Sequence, residues 1–386
     1  MKKMLVFMAL AAISCANKTV DVPKIATLAG NQCLLMEEFL TDETLPRTFR
    51  GDTLVTSGPD WWCSGFYPGT CWYDYKLGGD PALKDLALRQ TAKVLDVERL
   101  NAEHDLGFQV MGSARFAFDE TGDSLYLQTL FAAADKLARR FSPVTGVIKS
   151  WNWEEGYPVI IDNMMNLELL TWASRQFDRP DWMEIALSHA RKTRVNHFRP
   201  DGSSYHLVNY NPADGSILGK QTVQGYADDS SWARGQAWGL YGFTMMYRET
   251  GLPEFLEQAE KVASYLLPLL KDRPVPAWDF CAPPESIGQD DASAAAIMAS
   301  AFLELCQLTP DSSAAALYRQ EGEDILKALS SDKYLCRLGE CAGFLLKHST
   351  GNYSKGSEVD VPLSYADYYY MEALYRYMRL SNPETR

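Results

Sequence analysis

The strongest constraint in this chain is a helical period that runs almost without interruption. From residue 30 onward, apolar residues recur at spacings of three and four, which puts them on one face of an α-helix turn after turn. The runs lie at 33–39, 83–95, 108–118, 125–141, 161–177, 182–195, 232–247, 255–270, 292–308, 314–329 and 365–378. A shorter candidate helix, 70–77, follows Ser64, Gly65 and Phe66. Turns such as Gly78-Gly79-Asp80-Pro81 and Arg179-Pro180-Asp181 separate the runs, with residue types that end one helix and begin the next. Strand signals are confined to 54–56 and 205–208, which read as short ribbons on loops. A length of 386 residues would allow two or three domains, but no Pro/Ser-rich linker divides the chain. The expectation is an all-α protein whose helical hairpins close into a ring, an (α/α)6 barrel. An open α-solenoid is the rival, and against it the hairpins share no repeat consensus.

The start of the chain has a different character. Lys2 and Lys3 precede an apolar stretch at 4–13, then Ser14 and Cys15, the pattern of an export signal too short to span a membrane. Ala12-Ile13-Ser14-Cys15 resembles a bacterial lipobox, in which the Cys becomes the lipidated first residue; plain secretion with cleavage nearby is the alternative. The expected division is a signal peptide at 1–15, a tether at 16–29 and one catalytic domain at 30–386. The expected location is the periplasm or the outer membrane. The periplasmic side is favoured because no acidic run follows Cys15.

Charge narrows the partners. The formal net charge is −13 and no Lys/Arg run follows the leader, which argues against nucleic acid and against any membrane contact except through lipid on Cys15. An anionic substrate would need cations placed inside the site. Ten Trp and twenty Tyr suit stacking on sugar rings, or else fill a large core. The eight Cys are scattered, with no CxxC and no nearby His pair, so a zinc site is not expected. Cys336 with Cys341, and Cys63 with Cys71, are spaced for local bridges; buried free thiols are the other reading.

Several polar residues interrupt the apolar pattern. Asp105, in His104-Asp105-Leu106-Gly107-Phe108, stands where an N-cap belongs. Asp162, in Ile161-Asp162-Asn163, follows an apolar run; it either caps a helix or sits in an apolar pocket that holds its proton near neutral pH. Ser230 or Ser231 can cap the helix that opens Trp232-Ala233-Arg234-Gly235-Gln236-Ala237-Trp238. Arg234 and Trp238, four apart, share a face. A guanidinium fork beside an indole suits a carboxylated sugar, and a structural cation–π pair is the plainer reading. His206 and Gln224 lie on a long polar segment, 199–230. No GxSxG, HExxH, P-loop or GxGxxG pattern is present, which disfavours serine hydrolase and nucleotide chemistry.

Taken together, Trp62-Cys63-Ser64-Gly65-Phe66, the motifs around Asp105, Asp162 and Arg234, and Trp278-Asp279-Phe280 followed by Asp291-Ala292-Ser293-Ala294-Ala295-Ala296 resemble the unsaturated glucuronyl hydrolases, glycoside hydrolase family 88. The resemblance spans the chain from about Asn31 to the last helix. It implies an (α/α)6 barrel, no metal or other cofactor, and release of a 4,5-unsaturated uronic acid from lyase-generated oligosaccharides. It further implies Asp162 as general acid and base and Asp105 as its partner, a near charge that keeps Asp162 protonated. Trp62, His206, Gln224, Arg234 and Trp238 would contact substrate, and Ser354 and Lys355, in His348-Ser349-Thr350-Gly351-Asn352-Tyr353-Ser354-Lys355-Gly356, would contact a sulfate; a plain solvated turn is the other reading of that segment. An unsaturated rhamnogalacturonyl hydrolase and a glycan-binding lipoprotein without catalysis are the alternatives.

Overall fold

The computed structural model describes residues 19–153, 155–286 and 289–381; Cys15 and the leader lie outside them. Helix α1 (Val22–Glu37) is started by Asp21, whose side chain accepts from the Lys24 N–H, with Pro23 in the first turn. It buries Val22, Ile25, Ala26 and Ala29. Residues 22–29 therefore belong to the folded domain. Assigning them to a tether overlooks an apolar face at helical spacing and a favourable N-cap.

The remaining helices alternate between buried and half-exposed. α2 (Phe66–Gly78) is followed by α3 (Pro81–Ala92). The next inner rod is broken into α4 (Leu106–Val110) and α5 (Ala114–Thr121), and α6 (Ser124–Ala138) returns outside. A 3-10 turn, Ile161–Asn166, leads into α7 (Leu167–Gln176), followed by α8 (Pro180–Asn196). Then come α9 (Ala233–Thr250) with α10 (Pro253–Leu270), α11 (Ala292–Leu308) with α12 (Ser312–Leu329), and α13 (Ser364–Ser381). Helices α9 and α11 are buried on nearly all sides, whereas α10 and α12 bury one stripe, the difference between inner and outer walls. Each inner helix packs on its outer partner, and α9, α11, α13 and α2 pack side by side, so the last helix docks against the first hairpin. That is the expected (α/α)6 ring.

Closure depends on a close approach. Tyr368 of α13 lies against Gly69 of α2 and Gly112 at the α4–α5 break; a Cβ on Gly69 would come within 2.5 Å of its ring, and one on Gly112 within 2.9 Å. The described strands are short ribbons on loops, as expected. The hairpin Leu45–Arg50/Thr53–Ser57 contains the first anticipated signal, and Leu207–Tyr210 overlaps the second. Leu207–Tyr210 is the middle strand of a three-stranded antiparallel sheet with Tyr157–Ile160 and Ile217–Gln221. A further hairpin, Ser349–Asn352/Ser357–Val361, lies close before α13. The seven described cysteines are free thiols, and Cys71 faces Cys33 rather than Cys63.

Because backbone-close packing leaves no room at Gly69, Gly69→Ala should destabilise the fold by about 1–3 kcal/mol through overpacking. A urea midpoint equal to that of the parent would mean that Tyr368 is not seated there.

Candidate active site

The residues that begin the inner helices converge on one cavity of about 220 Å³. Trp62 stands before α2, Asp105 before α4, Asp162 in the turn before α7, Arg234 in the first turn of α9 and Tyr365 in that of α13. All five line it. Asp105 occupies the N-cap position of α4 but makes no capping bond, so its carboxyl is free for the cavity. Asp162 does not cap α7 either. Neither Ser230 nor Ser231 caps α9: that position is held by Trp232 without a side-chain bond, and the Ser230 hydroxyl donates to Asp279 Oδ2 at 2.6 Å.

Asp162 is placed by the small sheet. The Ile161 N–H donates to the His206 carbonyl at 2.9 Å, which continues the strand pairing of Ile160 with Leu207. This register sets His206 Nε2 3.5 Å from Asp162 Oδ2. His206 is buried between Trp232 and Trp151, ring centroids 4.6 and 5.7 Å away. It stands beside Asp162 and is not among the residues that line the cavity. On the other side, His104 Nε2 is 3.5 Å from Asp105 Oδ1. Burial pushes His104 down to about 4, leaving it neutral.

The two carboxyls differ in proton affinity. Burial pushes Asp105 well above the usual carboxylate range, and the charge of Asp162 pushes it further. Burial also opposes the charge of Asp162, but His206 and Arg234 beside it outweigh that and hold the carboxyl below its ordinary value. The direction of the two shifts is thus the reverse of the sequence-based order: Asp105 is pushed up and Asp162 is held down. An apolar flank is visible in sequence, whereas the neighbours that override it arrive from distant segments.

Arg234 is buried and fully engaged. Nη1 donates to Asp291 Oδ2 at 3.1 Å and to the Thr350 carbonyl at 2.5 Å; Nη2 donates to Gln224 Oε1 at 3.0 Å and to the Gly351 carbonyl at 2.5 Å. Its guanidinium stacks on Trp232, 4.4 Å from the ring centroid. No open fork remains for a carboxylate; Arg234 contributes a fixed charge and ties the 349–361 hairpin to α9. Gln224 lines the cavity, and with Oε1 taken its NH2 group is the donor available to a ligand. Trp238 is fully buried, packed on Phe108 at 5.2 Å and Tyr369 at 5.5 Å. It belongs to the aromatic floor and is not among the residues that line the cavity. Helical spacing put it on Arg234's face, but the guanidinium turned to Trp232 and the hairpin carbonyls. Trp62 does line the cavity, braced by Tyr365 at 4.9 Å. Lys355 lines it as well, whereas Ser354 does not; the Ser354 hydroxyl donates to the Gly225 carbonyl at 3.2 Å and pins one loop to another.

Sequence reasoning missed Arg47, Trp61, Trp151, Tyr365 and Glu358, all cavity-lining. None belongs to a pattern that marks chemistry. The one available signal was Trp151 and Trp153 within the long segment 145–158.

The proton order is directly measurable. In carbon NMR of labelled aspartate, Asp162 should ionise first and Asp105 only at higher pH, and Asp162→Asn should lower the Asp105 midpoint by removing a neighbouring negative charge. Ionisation of Asp105 before Asp162 would contradict this site.

The model of Glycosyl Hydrolase Family 88 matches residues 36–273. An unsaturated glucuronyl hydrolase of Formosa agariphila is 39% identical over 326 residues, 83% of this chain and 80% of that protein. An unsaturated chondroitin disaccharide hydrolase of Streptococcus pyogenes serotype M1 is 32% identical over 373 residues, 94% of this chain and 92% of that protein. The crystal structure of an unsaturated glucuronyl hydrolase specific for heparin superposes with a TM-score of 0.88 at 42% identity, covering 93% of this chain and 97% of the other. With more than half its length matched by the family model and relatives of this closeness along most of it, the chain belongs to glycosyl hydrolase family 88.

Proposed function

We propose that this enzyme releases a 4,5-unsaturated glucuronic acid from the non-reducing end of glycosaminoglycan fragments by hydrating the C4–C5 double bond. The observation that carries the reading is a pair of buried carboxyls of unequal proton affinity in one cavity, beside a buried cation and an aromatic platform. The cavity, at about 220 Å³, is smaller than the roughly 300–1,000 Å³ that holds drug-sized ligands, which favours a terminal sugar over the interior of a chain. The activities of the Streptococcus pyogenes relative and of the heparin-specific neighbour support glycosaminoglycan disaccharides as the substrate class.

In this mechanism the uronate ring stacks on Trp62 and its carboxylate is drawn by the Arg234 charge and the Gln224 amide. A bound carboxylate adds negative charge next to Asp162 and excludes water. Both changes raise the Asp162 pKa, so Asp162 takes up a proton when the substrate binds. Asp162 then donates it to C4. Water adds at C5 and returns a proton to Asp162, and the resulting hemiketal opens and releases the neighbouring sugar. One group acts as acid and then base, unlike the two separate carboxylates of ordinary glycosidases.

Asp162→Asn should retain the fold and lower kcat by at least about a hundredfold, the scale of general acid–base catalysis. Loss of enol-ether ultraviolet absorbance in unsaturated chondroitin disaccharide reads it. A variant that consumes the disaccharide near the parent rate would remove Asp162 from the mechanism.

The export reading is also a proposal: lipid on Cys15 tethers the enzyme to the membrane, where it meets fragments made outside the cytoplasm. The motifs at 2–15 support it. Labelled fatty acid should enter the parent chain and not Cys15→Ser, and the parent should fractionate with membranes. An unlabelled, wholly soluble parent would end the idea.

A further inference from the structure

The cavity rim carries an ion pair that hydration of the double bond does not use. Arg47, on the strand Leu45–Arg50, donates through Nε to Glu358 Oε1 at 2.5 Å. Its guanidinium also lies 3.9 Å from the centroid of Trp61. Arg47, Trp61 and Glu358 all line the cavity, as does Lys355 on the same hairpin as Glu358. The pair is only partly shielded, with side chains 27% and 17% exposed.

Glu358 is held there against local preference. Its φ is 56°, a left-handed conformation that a Glu rarely adopts. Across the hairpin stands Gly351, where a Cβ would come within 2.7 Å of Glu358 Oε2 and 2.8 Å of its Cβ. The hairpin thus combines an unfavourable backbone angle with a side-chain-free neighbour to bring this carboxylate against Arg47. An ion pair still partly open to solvent adds only modest stability, so strained placement is poorly explained as a staple. Its effect on the cavity is larger. With Glu358 in place the charge of Arg47 is offset, and Lys355 supplies a further cation to the same cavity.

We propose that Arg47 and Glu358 are specificity-determining residues that set the charge preference for the sugar beyond the cleaved bond. The inference rests on the uronyl hydrolase reading above. Glu358 masks the Arg47 guanidinium and repels an anionic substituent on the leaving hexosamine. Removing the carboxylate unmasks a stacked, pre-oriented guanidinium, a strong partner for sulfate. Removing the guanidinium leaves a bare carboxylate facing the same substituent.

The test is kcat/KM on two probes, the unsulfated unsaturated chondroitin disaccharide and its 6-sulfated form, expressed as the ratio of sulfated to unsulfated. Glu358→Gln should raise this ratio and Arg47→Gln should lower it, each by at least about fivefold at low ionic strength. The double variant, with the net charge restored, should return towards the parent ratio. Added salt should shrink both single shifts. Ratios that stay at the parent value, or that move the same way in both single variants, would overturn the proposal; a fall in Glu358→Gln would mean that Glu358 merely orients Arg47. Thermal midpoints report whether each variant is folded. A parent enzyme that consumes neither probe would instead count against the uronyl hydrolase reading itself, so the two failures are distinguishable.

Discussion

Hairpin connectivity in a closed ring is the constraint on which the rest of this structure depends. When outer helices return the chain between successive inner ones, the inner helices begin at the same end of the ring. The residue before each inner helix, or in its first turn, then faces one mouth. Trp62, Asp105, Asp162, Arg234 and Tyr365 are far apart in sequence and meet for this reason. The mouth also gathers the N–H-rich ends of those helices, which favour negative charge. A chain of net charge −13 can in this way offer an anion a locally favourable place.

Below the mouth the ring interior must be filled, and it is filled in layers. Trp62, Phe108, Trp238 and Tyr369 form a contiguous aromatic floor. Beneath it Glu372 accepts from the hydroxyls of Tyr73, Tyr241 and Ser300. Arg248 pairs with both Glu168 and Glu304, and Arg376 pairs with Glu304. Buried charges of this kind contribute little net stability but are costly when one partner is lost. Arg234 follows the same rule at the mouth. Its partner Asp291 also accepts from the Ser293 and Ala294 N–H groups at the start of α11, so one buried pair fixes α9, α11 and the 349–361 hairpin together.

What the sequence made legible follows from this architecture. The helices announced themselves because the apolar period of each wall is local. Asp105 and Asp162 were conspicuous because a carboxyl at the edge of an apolar run is conspicuous. Helix α1 is equally legible, in Asp21, Pro23 and the spacing of Val22, Ile25, Ala26 and Ala29, although its short apolar face can be mistaken for part of a tether. Arg47 and Glu358 were not legible: each sits on a short ribbon whose place at the rim is decided by tertiary packing. Trp238 shows the opposite failure. Its spacing from Arg234 was read correctly as a shared face, but a face says nothing about which way a guanidinium with four acceptors within reach will turn.

The proton order of Asp105 and Asp162 is the part that no local pattern could contain. Each is buried, so desolvation pushes both upward. The difference comes from His206, delivered by the register of a small sheet, and from Arg234, delivered by α9. A carboxyl held low by a neighbouring fixed charge is poised to regain a proton when a ligand's own negative charge offsets it. A lowered Asp162 pKa is therefore compatible with Asp162 as the proton donor once a uronate is bound. The substrate's carboxylate would be both the group recognised and the charge that arms the acid, which ties turnover to a uronate end and leaves a neutral sugar unreacted.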